Sequence, residues 1–256
     1  MNFAILGALE VRYPAGRIQI TAPKQKSVLA TLLLDADKEV PVDRLVDCVW
    51  DGRPPAAAQT TLQSYVYRLR QLLGPMPEVS LQTSTSSYAI EIGACEFDLR
   101  YFQSRVAEAH ESIREGEKEQ AAAAFRKALA AWRGNALVGV PGEILRQEAR
   151  LLENQRIAAY EELVNLELEL GNHRRVIPEL HKIVSEYPFH EVFTAQLVLA
   201  LYRSGRQAEA LQSHSLMRRR LRDKLGIEPG IELQQLQKAI LERVPAMEIT
   251  LISWTH

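Results

Sequence analysis

The chain has 256 residues, enough for one large domain or two of ordinary size, and 46% of them are hydrophobic, which excludes a disordered chain. The 31 Lys and Arg residues face 32 Asp and Glu residues, which excludes a protein that is basic throughout but leaves room for a local basic patch. The only cysteines, Cys48 and Cys95, exclude a disulfide scaffold, and no run approaches the roughly 20 apolar residues of a membrane helix. We therefore expect a cytoplasmic protein without a membrane partner.

The first twenty residues predict a small antiparallel sheet. Three short β-prone runs, Phe3–Leu6, Leu9–Arg12 and Arg17–Ile20, are separated by Gly7 and by the turn Pro14-Ala15-Gly16. A helix then begins at Thr21-Ala22-Pro23, with Pro at an early helical position.

Two further helices and a hairpin complete the first part of the chain. The second helix is predicted to begin at Asp43 as its N-cap, and the third to run from Ala56 to Leu73, where Gly74-Pro75 ends it. Val79–Leu81 and Tyr88–Ile92 predict a terminal hairpin. Sheet, three helices and hairpin, in this order, predict a winged helix-turn-helix over residues 1–94.

The third helix is the candidate DNA-reading element. Its apolar residues fall on one narrow face, formed by Leu62, Val66, Leu69 and Leu73. The opposite face carries Thr60, Ser64, Tyr67, Arg68 and Gln71, with Thr61 and Tyr65 beside it, and residues 52–77 contain no Asp or Glu. Hydroxyls, amides and Arg on one helix suit the major groove, whereas a merely solvated helix usually carries Glu. Tyr65 is expected either to stack on DNA sugars or to pack partly against the first helix.

The rest of the chain predicts an all-α repeat structure. Gly171 and Gly205 are 34 residues apart, and the segments LELELGNHRRVIPEL and LVLALYRSGRQAEAL align around them. A period of 34 is that of the tetratricopeptide repeat, so residues 95–245 are predicted to form a tetratricopeptide-like helical bundle. Residues 246–256 are predicted to be a C-terminal tail.

The sequence contains no pattern of residues that indicates a catalytic site. His173, His181, His190 and His214 lack metal-ligand spacing, no phosphate-binding Gly-rich loop occurs, and no Ser/His/Asp arrangement can be nominated. We expect no enzyme activity, no metal and no cofactor. The basic run from Arg218 to Lys224 has two interpretations, a solvated helix face or a contact with DNA backbone or an acidic polymerase surface.

Several segments together resemble a known family. FAILGALEVR, VPVDRLVDCVW and RPPAAAQTTLQSYVYRLRQLLG resemble the N-terminal domain of the Streptomyces antibiotic regulatory protein (SARP) family, a response-regulator-type winged helix. FDLRYF, AAFRKALAAWRG and LRDKLGIEPGIELQQLQ resemble that family's bacterial transcriptional activation domain. The resemblance covers about residues 1–243. It implies a cytoplasmic, nucleoid-associated activator of antibiotic gene clusters that binds direct repeats in double-stranded promoter DNA as a head-to-tail pair and recruits RNA polymerase holoenzyme through its sigma factor and alpha subunit.

The resemblance also implies site residues. The motif match places Thr60, Thr61, Tyr65 and Arg68 at DNA-contacting positions. Ser64 joins them from the polar helix face, Arg70 from the same triplet, and Thr83 and Thr85 as wing hydroxyls that can touch phosphate. Arg70 lies nearer the core and is expected to hold either a phosphate or an acid of the protein itself. The polymerase-contacting loop comprises Asp51, Gly52, Arg53, Pro54 and Pro55, although a loop that merely sets the angle between two helices is the alternative. The wing sequence TSTSSYAI departs from the family because it lacks Gly and Arg.

Two functions of different classes remain open at this point. The first is a DNA-binding transcription activator. The second is a tetratricopeptide-type interaction scaffold that does not bind DNA. The acid-free face of residues 56–73 favours the first.

Overall fold

A computed structural model of the chain describes residues 2–245 and 247–249. The described strands are β1 (Phe3–Ala4), β2 (Glu10–Tyr13), β3 (Gly16–Ile18), β4 (Val40–Pro41), β5 (Ser80–Thr83) and β6 (Ser87–Glu91). The described helices are α1 (Pro23–Leu34), α2 (Val42–Trp50), α3 (Ala58–Leu73), α4 (Asp98–Arg114), α5 (Lys118–Leu129), α6 (Glu143–Glu169), α7 (His173–Glu186), α8 (Glu191–Arg203), α9 (Gln207–Leu225) and α10 (Ile231–Leu241).

The chain divides into two compact units. The first comprises the described parts of Met1–His110 and of Ala124–Ala159, and the second comprises those of Glu111–Ala123 and of Tyr160–His256. The sequence boundary between residues 94 and 95 remains a prediction, and most of the predicted tail, residues 246 and 250–256, lies outside the described residues.

The first unit opens with the predicted antiparallel sheet, in the order β1-β2-β3. Phe3 lies opposite Val11, and Val11 lies opposite Ile18, so that three apolar side chains fall on one buried face. Asp98, at the start of α4, fixes the chain that leaves β1. Its buried carboxylate accepts hydrogen bonds from the backbone N–H groups of Ile5 and Leu6, each at 2.9 Å.

Helices α1, α2 and α3 form the helical part of the winged helix. Leu62, Val66 and Leu69 of α3 are at most 1% exposed, and burying each side chain contributes about 1.5–3 kcal/mol. The predicted N-cap of α2 is wrong by two positions, because the N-cap is Pro41 and Asp43 lies in the first turn of a helix that begins at Val42. The cause is tertiary, since the Val42 N–H donates to Ser86 O at 2.9 Å and is thereby held by the hairpin β5–β6.

The hairpin β5–β6 is the wing, and it belongs to a three-stranded sheet in the order β4-β6-β5. Val40 pairs with Tyr88, and Pro41 pairs with Ser87. Strand β4 has two residues and leads directly into α2, so it has no periodicity that a sequence pattern could reveal. The winged-helix prediction is confirmed, with this additional strand.

The second unit contains the predicted repeat. Gly171 and Gly205 both have φ of 79°, a left-handed conformation that glycine adopts without strain, and each ends one helix two residues before the next begins. The aligned pair Val176 and Ala210 is fully buried. The apolar residues of α7, α8, α9 and α10 share one core. The prediction of a tetratricopeptide-like bundle is therefore confirmed.

Candidate nucleic-acid interface

Helix α3 presents a polar face that the rest of its unit leaves open. Thr60, Ser64, Arg68 and Gln71 are exposed, and Tyr67 is 61% exposed. Within residues 2–245 and 247–249, the Arg68 side chain makes no hydrogen bond or ion pair. A cation that no described acid neutralises is available for a guanine edge or a phosphate.

The hydroxyls of this face are oriented by their own helix. The Thr61 Oγ1 donates to Ala57 O at 2.8 Å, and the Ser64 Oγ donates to Thr60 O at 3.1 Å. Each hydroxyl has its proton directed at the backbone, so its lone pairs remain to accept a hydrogen bond. The exocyclic amino groups of adenine and cytosine are the donors in the major groove that suit such acceptors.

Tyr65 is half-buried on the side of α3 that faces α2. Its ring stacks on Trp50 with the ring centroids 6.3 Å apart and the planes inclined by 25°. The Nζ of Lys24 lies 4.6 Å from the centroid of the Trp50 ring. Of the two sequence-based alternatives for Tyr65, the structure shows packing, and the ring contact is with Trp50 of α2. A DNA contact by its edge stays a prediction.

Arg70 and the wing are joined by hydrogen bonds. The Arg70 Nε donates to Leu81 O at 2.9 Å, and its terminal nitrogen donates to the Thr83 Oγ1. The internal partner of Arg70 is thus a carbonyl and a hydroxyl of β5, and not the acid that the sequence suggested. Thr85, at the tip of the wing, is exposed and makes no side-chain hydrogen bond to another described residue.

The loop from Asp51 to Pro55 is exposed, but one of its charged side chains is engaged. Asp51 has a left-handed φ of 52°, and its Oδ1 accepts hydrogen bonds from the backbone N–H groups of Glu143 at 2.6 Å and Ile144 at 3.3 Å. The carboxylate therefore caps the first turn of α6, where the helix dipole favours a negative charge. Within the part of the chain that the structure describes, the Arg53 side chain makes no such contact.

The densest basic run, on α9, is largely engaged within its own unit. Arg218 pairs with Glu228 at 2.6 Å, and Arg220 donates to Pro188 O at 2.8 Å. These partners favour the interpretation of the run as a structural and solvated face. No observation on the described residues supports a contact between this run and DNA.

Metal-binding clusters and membrane helices are both absent from the described residues. No three His, Cys, Asp or Glu side chains there could together hold a metal ion. No helix among them is long and apolar enough to cross a membrane.

Comparison with known proteins identifies both parts of the chain. Residues 97–241 match the family model "Bacterial transcriptional activator domain", and residues 17–87 match "Transcriptional regulatory protein, C terminal". The chain is 35% identical to the regulatory protein DnrI of Streptomyces peucetius, an alignment that covers 97% of this chain and 94% of that protein. The chain belongs to the SARP family. This SARP is a transcriptional regulator and not an enzyme.

The chain spans only part of the length of other relatives. It is 34% identical to the regulatory protein AfsR of Streptomyces griseus, over 94% of this chain but only 24% of that protein. A solved structure of Mycobacterium tuberculosis EmbR in complex with a low-affinity phosphopeptide matches it with a TM-score of 0.87 and 31% identity. That match covers 98% of this chain and 66% of the EmbR chain.

Three residues with structural roles in the first unit were not found from the sequence. Asp98 starts α4 and has the position of a helix cap, which is a readable signal, but its backbone partners lie more than 90 residues earlier. Glu39 binds wing hydroxyls, and Trp50 supports Tyr65. Neither has a sequence signal that distinguishes it from an ordinary exposed acid or a core aromatic residue.

Proposed function

We propose that this SARP is a cytoplasmic, sequence-specific activator that inserts α3 into the major groove of promoter DNA. The observation that carries the proposal is the open, acid-free face of α3, where Arg68 is unpaired among the described residues. Phosphate attraction from one short basic face is small in a protein of net charge -1. Binding therefore depends on base contacts and on pairing of two copies.

The proposed DNA site is a direct repeat that binds two copies head to tail. Half-sites about one helical turn apart place both copies on the same side of the duplex. Two weak interactions on one DNA molecule reinforce each other through their effective concentration. The kinship with regulatory protein DnrI and the family's name support an antibiotic or other secondary-metabolite gene cluster as the target.

The proposed step after binding is recruitment of RNA polymerase holoenzyme, through its sigma factor and alpha subunit. The loop of Asp51–Pro55 is the proposed contact. Pro54 and Pro55 restrict its backbone, so little ordering entropy is lost when a partner binds. Because Asp51 is engaged with α6, Arg53 is the charged side chain that the loop offers to a partner.

A gel-shift assay against the promoters next to the protein's own gene tests DNA binding. We expect a specific, cooperative complex on a direct repeat, and loss of cooperativity when about half a helical turn is inserted between the half-sites. Equal binding at both spacings would contradict the paired arrangement. Absence of any specific complex would support the alternative, an interaction scaffold that does not bind DNA.

Purified transcription tests recruitment separately from binding. Arg53→Ala is expected to leave promoter affinity unchanged and to lower transcript yield, because Arg53 lies outside the DNA-reading face. Arg17→Ala, which removes an exposed Arg from β3, is the matched control. A parallel fall in binding and transcription for Arg53→Ala would show that the loop only supports α3.

A further inference from the structure

Three hydroxyl side chains in the wing of this SARP, those of Thr83, Ser84 and Ser87, are bound within the protein. The segment Thr83–Ser87 contains five hydroxyl side chains and no Gly, Arg or Lys. A wing of this composition has no cation to attract a phosphate. Its contribution to DNA binding therefore depends on where it is held and not on its charge.

One side of the wing is held by α3. Arg68 and Arg70 are two positions apart, so they point about 200° apart around the helix and cannot both face the groove. Arg70 points to the wing, where its Nε donates to Leu81 O at 2.9 Å and its terminal nitrogen donates to the Thr83 Oγ1. A guanidinium can bind two acceptors in a fixed geometry, which fixes β5 relative to α3.

The other side of the wing is held by Glu39, just before β4. The Ser87 Oγ donates to Glu39 Oε2 at 2.8 Å, and the Ser84 Oγ donates to Glu39 Oε1 at 3.3 Å. The Ser84 N–H also donates to Ser87 O at 3.0 Å and closes the turn. The wing is thus attached along both of its edges.

Two features of the wing lie outside these attachments: the hydroxyls at its tip and a cleft between the wing and α3. Among the described wing residues, the Thr85 and Ser86 hydroxyls keep no partner in the protein. A cleft of about 250 Å³ separates α3 from the wing and is lined by Gln59 and Gln63 on one side and by Thr83–Ser86 on the other. The width of this cleft sets the distance between the helix in the major groove and the tip of the wing.

We propose that Arg70 is a positioning residue for DNA recognition: it holds the wing at a fixed distance from α3, so that Thr85 reaches the phosphate backbone beside the groove that α3 reads. This inference rests on the proposed DNA-binding function. It makes Arg70 a residue that holds the wing and not one that reads DNA, because two of its five N–H donors bind Leu81 O and the Thr83 Oγ1. It assigns Thr83 to the same clamp.

The first experiment uses the full chain without DNA and measures ¹⁵N relaxation of the wing amides at residues 82–87. Arg70→Met removes both hydrogen bonds of the clamp, and we expect order parameters at the tip to fall from about 0.85 to below about 0.6. Thr83→Val removes only the bond to the Thr83 Oγ1, and a smaller fall is expected. Thr83→Ser keeps the acceptor and Arg68→Met lies on the other face, so both are expected to match the unmodified protein. A wing that stays rigid in Arg70→Met would overturn the inference whatever the protein does with DNA.

The second experiment measures promoter affinity as a function of salt concentration. Arg70→Met and Thr83→Val are each expected to weaken binding about 10-fold, the effect of losing one hydrogen bond to a charged group. The double variant is expected to be no weaker than Arg70→Met alone, because Arg70→Met already removes both hydrogen bonds of the clamp. The slope of log K against log salt is expected to stay unchanged in Arg70→Met, whereas removing a phosphate contact reduces it by about 0.9.

The outcomes separate the inference from the proposed function. Additive effects of Arg70→Met and Thr83→Val, or a reduced salt slope in Arg70→Met, would show that Arg70 contacts DNA directly and would refute the positioning role. An unmodified protein that binds no promoter would refute the proposed function, and the relaxation experiment would still decide whether the clamp exists.

Discussion

Asp51 offers the sharpest test of how the structure constrains function, because its carboxylate has a structural partner inside a loop proposed to bind polymerase. Replacement by Ala removes the acceptor for the N–H groups of Glu143 and Ile144. Loss of a helix cap costs about 1 kcal/mol. Ala also tolerates the left-handed φ of 52° poorly, which adds about 1 kcal/mol.

We therefore expect Asp51→Ala to lower the free energy of unfolding by about 2 kcal/mol, the sum of the two contributions. Asp51→Asn is the matched control, since Asn keeps an oxygen acceptor and accepts a left-handed φ. Its expected cost is below about 1 kcal/mol, because only the charge at the α6 terminus is lost.

The assay is urea denaturation followed by tryptophan fluorescence. Trp50 and Trp132 both lie in the first unit, and a Trp254→Phe background removes the third tryptophan from the signal. A change in the urea midpoint without a change in the slope reports stability alone. An Asp51→Ala variant within about 0.5 kcal/mol of the unmodified protein would refute the cap, since this lies below the usual range for such losses.

The same pair of variants separates stability from recruitment. Asp51→Asn keeps the fold but removes the negative charge that a polymerase would meet. Transcript yield at saturating promoter occupancy is expected to be unchanged in Asp51→Asn if the carboxylate serves only α6. A loss of transcription without a loss of promoter binding in this variant would show that the Asp51 carboxylate contacts polymerase.

Two further predictions concern base reading and pH. Arg68→Ala is expected to weaken binding to the cognate repeat by about 1–3 kcal/mol and to relax discrimination at one base pair, as measured by competition with single-substituted sites; unchanged affinity with an intact fold would remove Arg68 from the reading face. Burial and the nearby Glu162 raise the pKa of Glu161 to about 7, and its Oε1 lies 3.3 Å from the Nε2 of His190, whose pKa burial lowers. Because the folded state keeps a proton on Glu161 that the unfolded state releases, this residue destabilises the fold increasingly as pH rises from about 4.5 to about 7, by at most about 3 kcal/mol. Glu161→Gln should flatten this part of the pH profile of urea midpoints, whereas Glu119→Gln, at an exposed helix position, should leave it unchanged; identical profiles for Glu161→Gln and the unmodified protein would contradict the raised pKa.

The sequence by itself determines the elements that depend on local periodicity. The apolar stripe of Leu62, Val66 and Leu69 identifies the buried face of α3, and with it the opposite face that is open for DNA. The 34-residue interval between Gly171 and Gly205 likewise identifies the helical repeat. Both signals arise within a few turns of helix, where the spacing of side chains is fixed by the backbone.

Only the tertiary structure determines the hydrogen-bond partners of the polar side chains at the edges of these elements. Arg70 and Arg68 look alike in the RLR triplet, yet one binds the wing and the other is open, because β5 passes only one side of α3. In the sequence, Asp51 looks like an exposed loop acid. In the structure, its carboxylate binds the first N–H groups of α6, which lie more than 90 residues later in the chain. A side-chain hydrogen bond needs its acceptor within about 3 Å, and at such sequence separations that distance is set by packing, which no local pattern encodes.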